Sequence, residues 1–155
     1  MEFSTREDIE APLDRVFAAL TDFDRIERQV MRRGIEVQRT DTRSEPGEGM
    51  AWTASFRFRG KPREAEVTLT EYDPPNLMVY RMVSGGLEAR TRLDFVALSP
   101  SRTRIAMTIE VTAKTLSARL IVQSIKLARA NVEKRFRVRM AEYAGDLETR
   151  LKRQG

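Results

Sequence analysis

The chain has 155 residues, 41% of them hydrophobic, and a formal net charge of +5. That length suits one domain able to bury roughly two thirds of its unfolded surface. The absence of cysteine and histidine excludes disulfides, a thiolate nucleophile, cysteine-ligated zinc and the side chain that most often serves as general base or transition-metal ligand. The chemistry left over belongs to carboxylates, tyrosines, lysines and hydroxyls, each of which needs an environment that shifts its pKa.

No metal site and no cofactor is expected from this composition. No apolar run approaches the roughly 18 residues that span a bilayer, and Met1 to Arg15 alternates charged with apolar positions. Stable membrane insertion and a signal peptide are therefore not expected, and a cytoplasmic location is. The 28 basic residues, mostly arginine, are interleaved with 23 acids. No recognised nucleic-acid module accompanies them, so no nucleic-acid partner is expected.

In chain order, Phe3, Thr5, Glu7 and Ile9 alternate with Glu2, Ser4, Arg6 and Asp8, a strand pattern over Glu2 to Glu10. Pro12 then suits a first helical turn, and Leu13, Val16, Phe17 and Leu20 recur at helical spacing to about Thr21. Asp24 to Arg33 carries Ile26, Val30 and Met31 on one side and stops at Gly34, a residue suited to a left-handed C-terminal cap.

From Ile35 to Val111 the period becomes two. Breaks at Pro46 to Gly49, Gly60 to Pro62, Asp73 to Pro75, Gly85 to Gly86 and Ser99 to Pro100 divide the region into six strands. Trp52, Ala54, Phe56 and Phe58 form one dry face, Ala65, Val67 and Leu69 the next, and Leu93, Phe95 and Ala97 another. In Leu77 to Val83 both phases are apolar; Arg81 in one of them assigns Met78, Tyr80 and Met82 inward. From Thr115 to Lys152 no proline interrupts a helical stripe of Ile121, Ile125, Ala128, Val132, Phe136, Met140, Tyr143, Leu147 and Leu151. The pattern predicts one helix of about 35 residues, close to 50 Å long.

A seven-stranded antiparallel sheet with one apolar face dries that face by curling around a partner, and the terminal helix is the partner available. One helix about 10 Å wide does not fill such a concavity, so a pocket between helix and sheet is expected. The fold class predicted is α+β, a single domain over residues 1–155.

The chain resembles the START-like superfamily, particularly its polyketide cyclase/dehydrase and lipid-transport families. The resemblance is carried by Ile9-Glu10-Ala11-Pro12 leading into Val16, Phe17, Leu20 and Asp22, by Gly49 before Trp52, by Glu71-Tyr72-Asp73-Pro74-Pro75 before Leu77, by Thr103-Arg104-Ile105, and by the terminal helix. Many relatives place a tryptophan shortly after the segment matching Asp22, where this chain has Phe23, Asp24, Arg25 and Ile26. The resemblance implies a helix-grip fold and a cavity for a small apolar molecule such as a lipid, isoprenoid or polyketide-like ring.

The residues expected to line that cavity are Trp52, Phe56, Phe58, Leu69, Met78, Tyr80, Phe95, Val132, Phe136, Met140 and Tyr143, with Phe136 opposite Trp52 and Phe56. Each is equally the kind of residue that fills an ordinary core. Tyr80 and Tyr143 are the polar groups suited to orienting a ligand. No catalytic residue is assigned: the pairs Glu64 with Glu66 and Glu71 with Asp73 fall on a solvent phase or in a turn, and Arg90, Arg92, Arg102 and Arg104 read as an outer sheet face. Three functions stay open at this point: a binding or transport protein, a cyclase or dehydratase using the same pocket, and a protein-interaction module.

Overall fold

The computed structural model describes residues 1–154. Strand β1 (Glu2–Ile9) is followed by helices α1 (Leu13–Leu20) and α2 (Phe23–Arg32). Strands β2 (Glu36–Arg39), β3 (Ala51–Phe58), β4 (Lys61–Asp73), β5 (Leu77–Ser84), β6 (Leu87–Ser99) and β7 (Arg102–Ala113) come next, and helices α3 (Leu116–Leu127) and α4 (Arg129–Gln154) close the chain. The sheet order is β1-β7-β6-β5-β4-β3-β2. Every neighbouring pair is antiparallel. The strands after β2 form a meander, and β1 adds at the far edge by pairing with β7, Phe3 opposite Ile109 and Ile9 opposite Thr103.

Gly34 ends α2 in the left-handed conformation (φ 86°), its N–H donating to the Met31 carbonyl at 3.0 Å, as a helix terminus with glycine requires. The inward phase of β5 is the one holding Met78 and Tyr80, both in the core or packed on it, whereas Met82 lies exposed at the strand's open end. Both phases of β5 are apolar because Val79, on the outer face, is buried too, between its register partners Glu71 and Arg92. A bulge at Thr70 shifts β4, so that Leu69 and Tyr72, not Leu69 and Glu71, face inward. The outer-face arginines are ion-paired: Arg92 to Asp94 at 2.9 Å, Arg104 to Asp8 at 2.8 Å, Arg102 to Asp8 at 3.7 Å and Arg90 to Glu71 at 3.8 Å.

One expectation is corrected. The terminal segment is two helices, not one: Ala128 leaves helical geometry (φ −104°, ψ 20°) between α3 and α4, and it is exposed. The Ser124 hydroxyl, four residues earlier, donates back to the Ile121 carbonyl at 2.8 Å and accepts from Arg59 of the β3–β4 hairpin. Such side-chain bonds to the preceding turn bend helices, and a hydrophobic period shows no sign of them.

The core occupies one end of the grip. Val16 and Phe17 of α1, Phe23 of α2, Leu69, Met78, Leu93 and Phe95 of the sheet, and Ala144, Leu147 and Leu151 of α4 belong to one cluster. Phe17 meets Phe95 edge-on at 5.0 Å between ring centroids, the geometry aromatic quadrupoles favour.

The loop after β2 is tied down by Asp41, which accepts from Arg39 and from the N–H groups of Ala51 (2.8 Å) and Arg43 (2.9 Å). The Arg39 bond first, then these amides, hold its carboxyl far below the ordinary value of 3.8. Arg104 likewise lowers Asp8, and Lys114 and Arg81 lower Glu88. A carboxyl depressed on folding stabilises above its unfolded pKa and loses that contribution as pH falls through the folded one. Stability should therefore be level through neutral pH and fall steadily below about pH 4. Thermal melts of the wild type and Asp41→Asn across about pH 3 to 7 check this; the variant should melt lower at neutral pH and show a shallower acid slope.

Candidate functional site

Between α2, strands β2 to β7 of the sheet and α4 lies a cavity of 820 Å³, within the roughly 300–1,000 Å³ usual for small-molecule sites. Its wall on the sheet side is Trp52 and Ala54 of β3, Val67 of β4, Tyr80 of β5, Leu93 of β6 and Met107 of β7. These are inward residues of five successive strands, one consequence of the period-two alternation. Leu20, Phe23, Ile26 and Val30 close it from the α1–α2 side, and Met140, Tyr143 and Leu147 from α4. Spacings of three and four residues place Phe23, Ile26 and Val30 on one face of α2, and Met140, Tyr143 and Leu147 on one face of α4. Exposed Arg32, Arg33, Arg139, Glu142 and Asp146 stand at the mouth between α2 and α4.

Trp52 is the best-anchored wall residue. Its indole N–H donates to Glu27 Oε1 of α2 at 2.7 Å. Its rings lie 5.5 Å from Phe23 and 6.2 Å from Tyr80, and the Arg39 guanidinium sits over it at 5.7 Å. Phe23, the first residue of α2, thus packs on Trp52.

The polar groups of the wall are tyrosines. The nearest partner of the Tyr80 hydroxyl is the Met78 thioether at 4.0 Å, a weak acceptor. Burial pushes the Tyr80 phenol well above its ordinary pKa of 10, and the neighbouring Tyr143 and Tyr72 add to the shift. Burial also raises Tyr143, partly offset by the positive charge of Arg150 and Arg25. Both phenols keep their protons at neutral pH, so both are hydrogen-bond donors and neither is a base. Among the described residues no three histidine, cysteine or acidic side chains stand together.

Of the residues expected to line the cavity, Trp52, Tyr80, Met140 and Tyr143 do so. Leu69, Met78 and Phe95 are fully buried in the adjoining core instead. Phe56 and Phe58 lie further along β3, beyond the wall; Phe58 is partly exposed between the guanidinium groups of Arg59 and Arg63. Val132 and Phe136 are half-buried in the first turns of α4 and outside the lining, because the break at Ala128 starts α4 with a new path toward its anchor at Leu147 and Leu151. Sequence reading missed the contribution of α2. The spacing of Phe23, Ile26 and Val30 was its available signal.

An antiparallel seven-stranded grip closed on a terminal helix, with a hollow under the helix and two short helices at its mouth, defines a START-type helix-grip protein. The chain belongs to the family described as polyketide cyclase / dehydrase and lipid transport, which it matches over residues 1–150. Similar solved structures include the Zhui aromatase/cyclase from Streptomyces sp. R1128, with a TM-score of 0.66 and 12% identity over 97% of this chain and 95% of that one. Truncated norcoclaurine synthase from Thalictrum flavum has a TM-score of 0.63 and 12% identity over 86% of this chain and 88% of that one. A START superfamily protein from Mycobacterium smegmatis has a TM-score of 0.56 and 12% identity over 86% and 95%. At these identities the likeness is one of fold. No curated protein matches the chain by sequence.

Proposed function

We propose that this protein binds a small, largely apolar molecule in the cavity and holds an oxygen-bearing group of it at the Tyr80 and Tyr143 hydroxyls. The observation that supports this reading is the 820 Å³ hollow walled by apolar side chains, with two phenols that have no nitrogen or oxygen partner among the described residues. The Tyr80 hydroxyl has only the weakly accepting Met78 thioether and the Tyr143 hydroxyl no acceptor among the described residues, so a ligand carbonyl or hydroxyl in the hollow can accept from both. Lipids, isoprenoids and polyketide-like rings share this chemistry. Binding is favoured over catalysis because the two tyrosines donate protons only in hydrogen bonds, and the Glu27 carboxylate at the wall is already engaged by Trp52.

Trp52 is the chain's one tryptophan and forms part of the cavity wall, so its emission reports occupancy directly. Native mass spectrometry of protein purified from its own host should show the added mass of an apolar molecule. Titration of stripped protein with an apolar fluorescent probe should shift Trp52 emission saturably. A stripped protein that binds no such probe, with Trp52 emission unchanged, would refute the reading.

A further inference from the structure

The end of the molecule opposite the core carries a surface that ligand binding in the cavity does not use. Leu116, Leu120 and Leu127 of α3 are 74%, 63% and 90% exposed. At 100° per residue they fall within about 40° of one another around the helix, directly opposite the face formed by buried Ala118 and Val122 and half-buried Ile121 and Ile125. Arg119 and Lys126 flank the leucine stripe on one side. On the other, Arg59 reaches in from the β3–β4 hairpin to the Ser124 hydroxyl.

The two chain segments that form this surface carry charge of one sign. Residues 57–63 and 113–132 contain eight cations, Arg57, Arg59, Lys61, Arg63, Lys114, Arg119, Lys126 and Arg129, and no acid. Lys114 pairs with Glu88 and Arg129 with Glu133. The other six make no ion pair among the described residues, in contrast to the paired arginines of the outer sheet face. The arrangement is fixed in place: α3 starts where Thr115 caps it, pressed against Gly86 of the β5–β6 turn so closely that a Cβ there would lie 2.1 Å from the Thr115 Oγ1.

An exposed apolar stripe bordered by unpaired cations, on a helix without acids, is the pattern that lies in the interface of an anionic bilayer. A nucleic acid would satisfy the cations and leave the leucines in water. We infer that α3 and the β3–β4 hairpin dock this protein on anionic lipid membranes, with Leu116, Leu120 and Leu127 entering the headgroup boundary and the surrounding Lys and Arg meeting lipid phosphates. The inference stands apart from the identity, or existence, of a cavity ligand.

Vesicle flotation with the full chain tests it. Wild type should float with phosphatidylcholine vesicles containing about one third phosphatidylglycerol, remain unbound with phosphatidylcholine alone, and lose binding as salt rises from about 0.1 to about 0.5 M. The pair Leu120→Ser with Leu127→Ser should weaken binding at least roughly tenfold, and so should the pair Arg119→Glu with Lys126→Glu. All four side chains are exposed, so melting temperature and probe binding in the cavity should stay at wild-type values; Leu127→Ser alone serves as a milder variant if the pair does not fold. The inference is overturned if wild type ignores anionic vesicles. It is equally overturned if the leucine variants bind as wild type does while the charge variants alone lose vesicles and duplex DNA together, which would make the surface a site for polyanions.

Discussion

Leu69→Ala should destabilise the protein by about 2 to 5 kcal/mol, whereas Val67→Ala, two residues earlier on the same strand and face, should cost about 1 kcal/mol or less. Leu69 is fully buried in the core cluster, so truncation loses transfer energy and leaves a void among Met78, Leu93 and Phe95. Val67 already borders the cavity, so its missing methyl groups enlarge a space that exists and strip few packing contacts. Denaturant titrations of the two variants beside wild type measure the difference. Equal losses of core size at both positions would mean that the hollow beside Val67 is closed in solution.

Filling the cavity should abolish binding without unfolding the chain. Ala54→Phe adds a ring to the sheet-side wall beside Trp52, in a strand, where aromatic residues are at home. Affinity for an apolar probe should fall by roughly a hundredfold as the hollow loses its free volume. Tyr80→Phe keeps the volume and removes one donor, so an oxygen-bearing ligand should lose about tenfold in affinity while a pure hydrocarbon binds as before. Trp52 emission reads both titrations. Wild-type affinity in Ala54→Phe would place the ligand elsewhere, and equal affinity of Tyr80→Phe for both ligands would remove the tyrosine from any polar role.

The fold was legible in the sequence because its parts differ in period. Alternation in Trp52 to Phe58 and in Leu93 to Ala97 marks one-sided strands, and the glycine and proline breaks fall between them at the turns the structure shows. The split at Ala128 was not legible. It depends on a serine hydroxyl bonding its own helix and on Arg59, 65 residues away in sequence, bonding that serine. The site was legible only in part for a related reason. Alternation tells which phase of a strand faces inward but not where along the strand α4 comes down, so Trp52 and Ala54 reach the hollow while Phe56 and Phe58, in the same phase, run past it. Leu69 and Val67 are likewise identical in pattern and separated only by where α1 and the end of α4 press on the sheet.

The three buried residues of α4 are Ala144, Leu147 and Leu151, all in its second half. Space lies on both sides of the helix: the cavity, lined from Arg139 to Arg150, and an open groove of 840 Å³ toward β1 and β7 lined by Arg137, Val138 and Ala141, with Met107 common to the two. Mechanically, α4 is a beam held at both ends: its first residue, Arg129, donates to the Glu2 carbonyl at 2.8 Å and stands over the Phe3 ring, and its second half is anchored by Ala144, Leu147 and Leu151. A beam held at both ends deflects most between its supports, and local opening free energies follow the density of buried contacts. The middle of the helix, where Arg139 and Met140 line the hollow and no side chain is fully buried, is therefore the part of the wall best able to yield, whereas the facing wall is tied by strand pairing.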